Sequence, residues 1–223
     1  MISEYALAID LGQAQDHTAL SIIGLEVGDP LAKDRALARE RMQVLWLEHY
    51  PKGTRYHQLI DITKRHLSHP KLEGNCRLLI DRGEVGKAVI EDFQDAGLSP
   101  IGIQITSGNE VHRQSYGYSV PKRDLVWALV AAFTQGRVDV YESEPGSPEF
   151  IAAQKYQEEL AKFGYKTAQK TGRVKYEALG ADDHDDLVMS TAMGIWYLSE
   201  YGNRYDGLSL PGSVREWDTF TGQ

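Results

Sequence analysis

The sequence predicts an α/β fold, a mixed β-sheet of three antiparallel strands followed by parallel strands and flanked by helices. Three observations predict it. Three segments rich in Val, Ile, Leu, Tyr and Trp follow one another near the start, and the short polar loop Leu11–His17 joins the first two, as in consecutive antiparallel strands. Between Cys76 and Ile105 the rhythm changes to strand, helix, strand, the pattern of a βαβ unit with parallel strands and a right-handed crossover. Finally, Asp182, Asp183, His184, Asp185 and Asp186 crowd the mouth of an apolar segment that runs to Leu198.

The expected elements follow in order. Tyr5–Asp10, Thr18–Val27 and Arg41–Tyr50 are the antiparallel strands. Leu59, Ile62 and Leu67 recur near helical spacing in the next segment, which His69 and Pro70 close. Cys76–Asp81 reads as a buried strand, Glu84–Leu98 as a helix with Val85, Val89 and Phe93 on one face, and Pro100–Ile105 as the parallel partner strand. Thr106–Pro121 reads as a long loop, a length that usually marks function or mobility. Pro121 opens a helix to Phe133, as proline is tolerated in a first turn. A short strand at Gly136–Tyr141, a helix at Ser147–Phe163, a strand at Gly172–Leu179 and the last long helix complete the order. Residues 1–200 are expected to form one domain. From Tyr201 the chain loses periodicity and gains Gly, Ser and Pro, so 201–223 is expected to be an irregular tail.

Bulk properties narrow the classes. With 42% hydrophobic and 25% charged residues, the 223-residue chain has the composition of a soluble globular protein. The start lacks a basic leader, and the most apolar internal run, Leu125–Phe133, is far too short to span a membrane. The single cysteine, Cys76, excludes an internal disulfide and fits a reducing compartment, so a cytoplasmic location is expected. A net charge of −8 excludes a broadly basic nucleic-acid coat, yet five basic residues and no acid lie between Lys162 and Lys175. That strip reads either as a solvated face or as a phosphate-binding one.

The carboxylates carry the chemical argument. If the first strand and Cys76–Asp81 lie side by side and parallel, Asp10 and Asp81 share the carboxyl edge of the sheet, where open sheets of this kind bind ligands. Asp16, in the following loop, could reach the same place. On the last helix, Val188, Met189, Ala192, Ile195 and Trp196 mark the buried face. Helical spacing puts Asp185 on that face and Asp186 about 100° further round, toward the periphery. One or two acids at a helix start need only the capping and dipole explanation. Carboxylates gathered from separate elements repel unless a cation sits among them. Mg²⁺ takes such hard oxygen ligands, and two ions a few ångströms apart can hydrolyse a phosphodiester. His184 reads as a metal neighbour, a general base or a capping-turn histidine, and Lys122 as a catalytic or a surface lysine.

Taken together, the pieces Ala8–Leu20, Leu78–Gly86, Ile105–Glu110, Val120–Leu125, Gln157–Leu160 and Asp183–Met189 make the chain resemble the nuclease domain of the large terminase subunit of tailed bacteriophages. The resemblance covers roughly Tyr5 to Leu198 and implies an RNase H-like fold. By that resemblance Asp10, Asp81, Asp185 and Asp186 are metal ligands, Asp16 is an auxiliary acid, and Lys122 approaches the DNA backbone. It implies Mg²⁺- or Mn²⁺-dependent endonuclease cleavage of double-stranded DNA with two ions during genome packaging. Lys166, Lys170, Arg173 and Lys175 are expected to clamp DNA through its phosphates. The partners implied are a packaging ATPase domain or chain, a small terminase subunit and a portal protein. The chain departs from a full-length large subunit in lacking the ATPase: Gly83–Ala88 fails the P-loop pattern in spacing and final hydroxyl. An excised domain, a separate subunit and a prophage remnant all fit that departure. Two other readings stay open, a nucleotide-binding protein of the actin-like and sugar-kinase type, suggested by Ala8–Ile23, and a nuclease of the Holliday-junction resolvase kind.

Overall fold

The computed structural model describes residues 2–12, 16–28, 40–83, 87–141, 144–167, 174–178 and 184–202. The first three strands are β1 (Ile2–Asp10), β2 (Thr18–Glu26) and β3 (Arg41–Tyr50), which pair antiparallel in sequence order. Helix α1 (Tyr56–Leu67) leads to β4 (Cys76–Asp81), which lies parallel to β1 on its other side. Helix α2 (Lys87–Asp95) crosses to β5 (Pro100–Thr106), parallel to β4. Then come β6 (His112–Gln114), β7 (Gly117–Pro121), α3 (Lys122–Thr134), β8 (Val138–Val140), α4 (Pro148–Lys162), β9 (Phe163–Thr167), β10 (Val174–Ala178) and α5 (Asp186–Tyr201). One eight-stranded sheet has the order β6-β7-β5-β4-β1-β2-β3-β8, and β9 and β10 form a separate two-stranded sheet. This is the expected RNase H-like mixed sheet.

Both faces of the central strands are covered, which is why they read as continuous apolar runs rather than as alternation. From β1, Tyr5, Leu7 and Ile9 enter the core shared with Leu59 of α1 and Val89, Ile90 and Phe93 of α2. Ala6 and Ala8 enter the opposite core with Leu125 and Leu129 of α3, Tyr156 of α4 and nearly the whole of α5. Small residues let α5 lie close to the sheet: a Cβ on Gly194 would stand 2.4 Å from Ile23 Cδ1 and 3.8 Å from the Ala6 Cβ. The twelve consecutive residues Leu187–Leu198 are buried. A helix apolar all round belongs in the middle of a core, and here it lies between the sheet and helices α3 and α4.

Two expectations are corrected. The supposed loop Thr106–Pro121 contains β6 and β7, and β7 extends the sheet parallel to β5. Its start is disguised by Gly117, which pairs with Gly102 at φ 141° and so close that a Cβ would fall 2.0 Å from the Gly102 carbonyl oxygen. Phe163 opens β9 rather than closing α4, so Phe163–Thr167 forms a strand paired antiparallel with β10. The expected position of Val85 on the second helix, and the tail from 203 to 223, lie outside the described residues. Among the described residues no helix is long and apolar enough to cross a membrane.

Candidate active site

The register of the sheet fixes the first two acids. Ile9 pairs with Ile80 in the parallel β1–β4 ladder, so the next residue on each strand, Asp10 and Asp81, ends up side by side at the carboxyl edge. Ile9 and Ile80 are completely buried and anchor both strand ends. Asp81 turns one oxygen back to its own loop, where the Gly83 N–H donates to Oδ1 at 2.9 Å.

Helix α5 packs across β1 and β2 with its amino end at the same edge, bringing Asp185 and Asp186. Lys122, the first residue of α3, donates from Nζ to Asp185 Oδ2 at 2.7 Å. The expected order of the two acids is reversed. Asp185 is the N-cap residue with φ −126° and ψ 20°, so the helical rotation of 100° per residue does not apply between it and Asp186. Its side chain is 25% exposed, whereas that of Asp186 is 14% exposed and carries a buried Oδ2 without a hydrogen-bond partner among the described residues.

The electrostatics report crowding. Burial, followed by the charges of Asp81, Asp186 and Asp185, lifts the Asp10 carboxyl well above the carboxylate range, against a lowering influence from Lys122. Burial pushes Asp81 up to about 6, opposed by the Gly83 N–H and by Lys122. One ammonium therefore serves several carboxylates. Among the described residues no three His, Cys, Asp or Glu side chains converge at a single ion-sized point. The donor set nevertheless fits a hard divalent cation in kind: it offers only carboxylate oxygens, one of them buried and unpartnered, at a place where negative charge is under-compensated. Asp16 lies apart, exposed on the loop between β1 and β2 and not among the groups acting on Asp10.

A second layer of residues lies behind Asp186, and of these the sequence points only to His184 and to the Gln157–Leu160 piece that contains Glu159. Lys155 of α4 donates to His49 Nε2 at 2.7 Å, and His49 Nε2 is 3.7 Å from Asp186 Oδ2. The His17 ring lies 4.4 Å from that of His49 and 5.2 Å from that of His184, and its Nδ1–H donates to the Tyr50 carbonyl at 3.1 Å. Burial and the neighbouring His49, Lys155 and His184 hold His17 below the usual histidine range, against an opposing influence from Asp186. Glu159, also from α4, accepts from the N–H groups of Leu187 and Val188. Burial raises Glu159 to about 7 even though those N–H groups and Lys155 favour its charged form; Asp186 adds to the rise. A signal for Glu159 did exist. It continues the Ala152–Tyr156 stripe of α4 at helical spacing, a carboxylate on an apolar face.

The basic strip is only partly described. Lys166 on β9 and Lys175 on β10 stand opposite one another in register, while Lys170 and Arg173 lie outside the described residues.

No family model and no curated protein matches the sequence. Solved structures do match. The large terminase nuclease from thermophilic phage G20c aligns at TM-score 0.57 with 20% identity, over 89% of this chain and 82% of that chain. The g2p (large terminase) nuclease domain from bacteriophage SPP1, solved with bound Mn, aligns at TM-score 0.53 with 10% identity, over 89% and 88% of the two chains. In architecture, then, the chain has the RNase H-like fold of these large-terminase nuclease domains.

Proposed function

We propose that this chain is a Mg²⁺- or Mn²⁺-dependent endonuclease that cleaves double-stranded DNA during phage genome packaging, with two ions held by Asp10, Asp81, Asp185 and Asp186. The observation that carries the reading is the meeting of two adjacent strand ends and one helix start, each acidic, at one edge of the sheet. The fold shared with two terminase nuclease domains, one of them solved with Mn, supports it.

Asp10 and Asp81 are fixed by the sheet, and Asp185 and Asp186 by the helix, so the ligands move only if the core does. Bound there, the ions would supply an activated water and charge stabilisation of the leaving oxygen. Lys122 holds the Asp185 carboxylate through a 2.7 Å contact and would also meet a backbone phosphate. His17, His49 and Lys155 close the side behind Asp186. The basic strip around Lys166, Lys170, Arg173 and Lys175 would hold the flanking duplex, and an ATPase, a small terminase subunit and a portal protein would deliver it.

The test is incubation with supercoiled plasmid in Mn²⁺, Mg²⁺ or chelator, beside Asp81→Ala. Wild type should nick and linearise only with metal, and Asp81→Ala should lose more than about 100-fold in rate, beyond what a residue merely supporting a ligand costs, while keeping its fold by circular dichroism. Cleavage retained in that variant would remove Asp81 from the site. Cleavage confined to branched DNA would favour the resolvase reading, and ATP binding without cleavage the nucleotide-binding one.

A further inference from the structure

Helix α5 begins without the cap that its own sequence offers. An aspartate at the N-cap ordinarily accepts a hydrogen bond from an N–H two or three residues on. Asp185 occupies that position but makes no side-chain cap bond. Its Oδ2 accepts from Lys122 instead, at 2.7 Å. The first-turn N–H groups are satisfied from another helix: those of Leu187 and Val188 donate to Glu159 Oε2 at 2.9 and 3.2 Å. Glu159 is only 5% exposed. A carboxylate buried that deeply is costly unless it is well bonded, and the positive end of α5 with two N–H donors is a fitting partner.

We propose that Glu159 is the positioning residue of the site, capping α5 from α4 and thereby freeing the Asp185 carboxylate to face Lys122 and the acids of the sheet. The functional consequence rests on the nuclease reading given above. Without Glu159, Asp185 is the local acceptor for the bare N–H groups and turns back to cap its own helix, leaving the edge with one ligand fewer. Asp186 is served from the same helix. Lys155, one turn before Glu159 and on the same face of α4, holds His49, which stands 3.7 Å from Asp186 Oδ2. Both Glu159 bonds converge on Oε2, while its buried Oε1 has no hydrogen-bond partner among the described residues, so what the cap uses is a single oxygen at that reach.

That distinction supplies the test. In the full chain, Glu159→Gln keeps an oxygen at the same reach without the charge, Glu159→Asp keeps the charge one methylene short, and Glu159→Met keeps neither. Amide exchange at Leu187 and Val188 and calorimetric Mn²⁺ binding are measured for each. Expected is lost protection at those two amides and about 10- to 100-fold weaker Mn²⁺ binding in Glu159→Asp and Glu159→Met, the usual range for residues that orient metal ligands. Glu159→Gln should retain both properties. Unaltered protection and affinity in Glu159→Asp would overturn the proposal, as would lost protection with unaltered affinity, since a purely structural cap leaves Mn²⁺ binding alone. If Glu159→Met does not fold, the contrast between Gln and Asp decides. If the wild type binds no Mn²⁺, the nuclease reading falls, and the protection pattern by itself decides whether Glu159 caps the helix by reach.

Discussion

Asp81 shows most directly what burying a carboxylate at this edge costs the folded chain. Its carboxyl is raised from 3.8 to about 6 by burial, so between those values the folded state holds a proton that the unfolded chain has released. Stability from this group is fully present below about pH 4 and is lost as pH rises through about 6. At pH 7.5 the metal-free protein carries a penalty of up to about 3 kcal/mol from this one group. Asp81→Asn, which keeps an acceptor for the Gly83 N–H, should therefore melt above the wild type at pH 7.5 without metal, and the difference should vanish near pH 4. Equal melting temperatures at pH 7.5 would contradict the assigned shift. Mn²⁺ should stabilise the wild type at pH 7.5 far more than at pH 5, because protons and the cation compete for the same oxygens. Asp10 and Asp81 were legible in the sequence because a strand-end acid needs only the strand to be placed. The roles of Asp185 and Asp186 were not, since helical periodicity fails at the N-cap, where φ is −126°. Glu159 lies in the Gln157–Leu160 piece and on the apolar stripe of α4, yet its role was not legible, because its partners are backbone N–H groups 28 and 29 residues away, a pairing that no local pattern encodes.

At the scale of elements, the site depends on how closely α5 lies on the sheet. Gly194 is the contact that permits it, since even a Cβ would come within 2.4 Å of Ile23 Cδ1 and 3.8 Å of Ala6. Gly194→Val should force the helix outward or Ile23 off its rotamer, at a cost of about 1–3 kcal/mol. The amino end of α5 would move with it, so metal-dependent cleavage should fall more steeply than chemical denaturation alone accounts for. A variant as stable and active as wild type would show that the helix has room to spare. The long helices and central strands were readable from periodicity and continuous burial. β7 was not, because Gly117 and Pro121 at its ends are loop-forming residues that tertiary pairing with β5 overrides. β9 was hidden for a different reason: α4 passes into it at Phe163 with no intervening turn.

At the scale of the whole molecule, the proposed nuclease role would require a chain of net charge −8 to hold a polyanion. Cations bound by the acidic edge can cancel repulsion only locally, because mobile ions screen exposed charge beyond about 8–10 Å at physiological salt. The flanking duplex therefore needs its own attraction. On the proposed reading the basic strip supplies it, with Lys166 and Lys175 at paired register positions of β9 and β10. Lys170 and Arg173 follow in the connecting sequence. If all four meet phosphates, binding of a short linear duplex should weaken with a log–log salt slope carrying about 0.9 per contact. Replacing Lys166, Lys170, Arg173 and Lys175 with Gln should then lower the slope by about 3 to 4, measured by fluorescence anisotropy in Ca²⁺ or without metal to avoid turnover. The loss should be independent of DNA sequence, as expected for contacts that position the duplex and do not read bases. An unaltered slope would place the strip away from DNA and leave the metal edge as the main point of attraction. In that case affinity would collapse on adding chelator, whereas a clamping strip predicts that most of it survives.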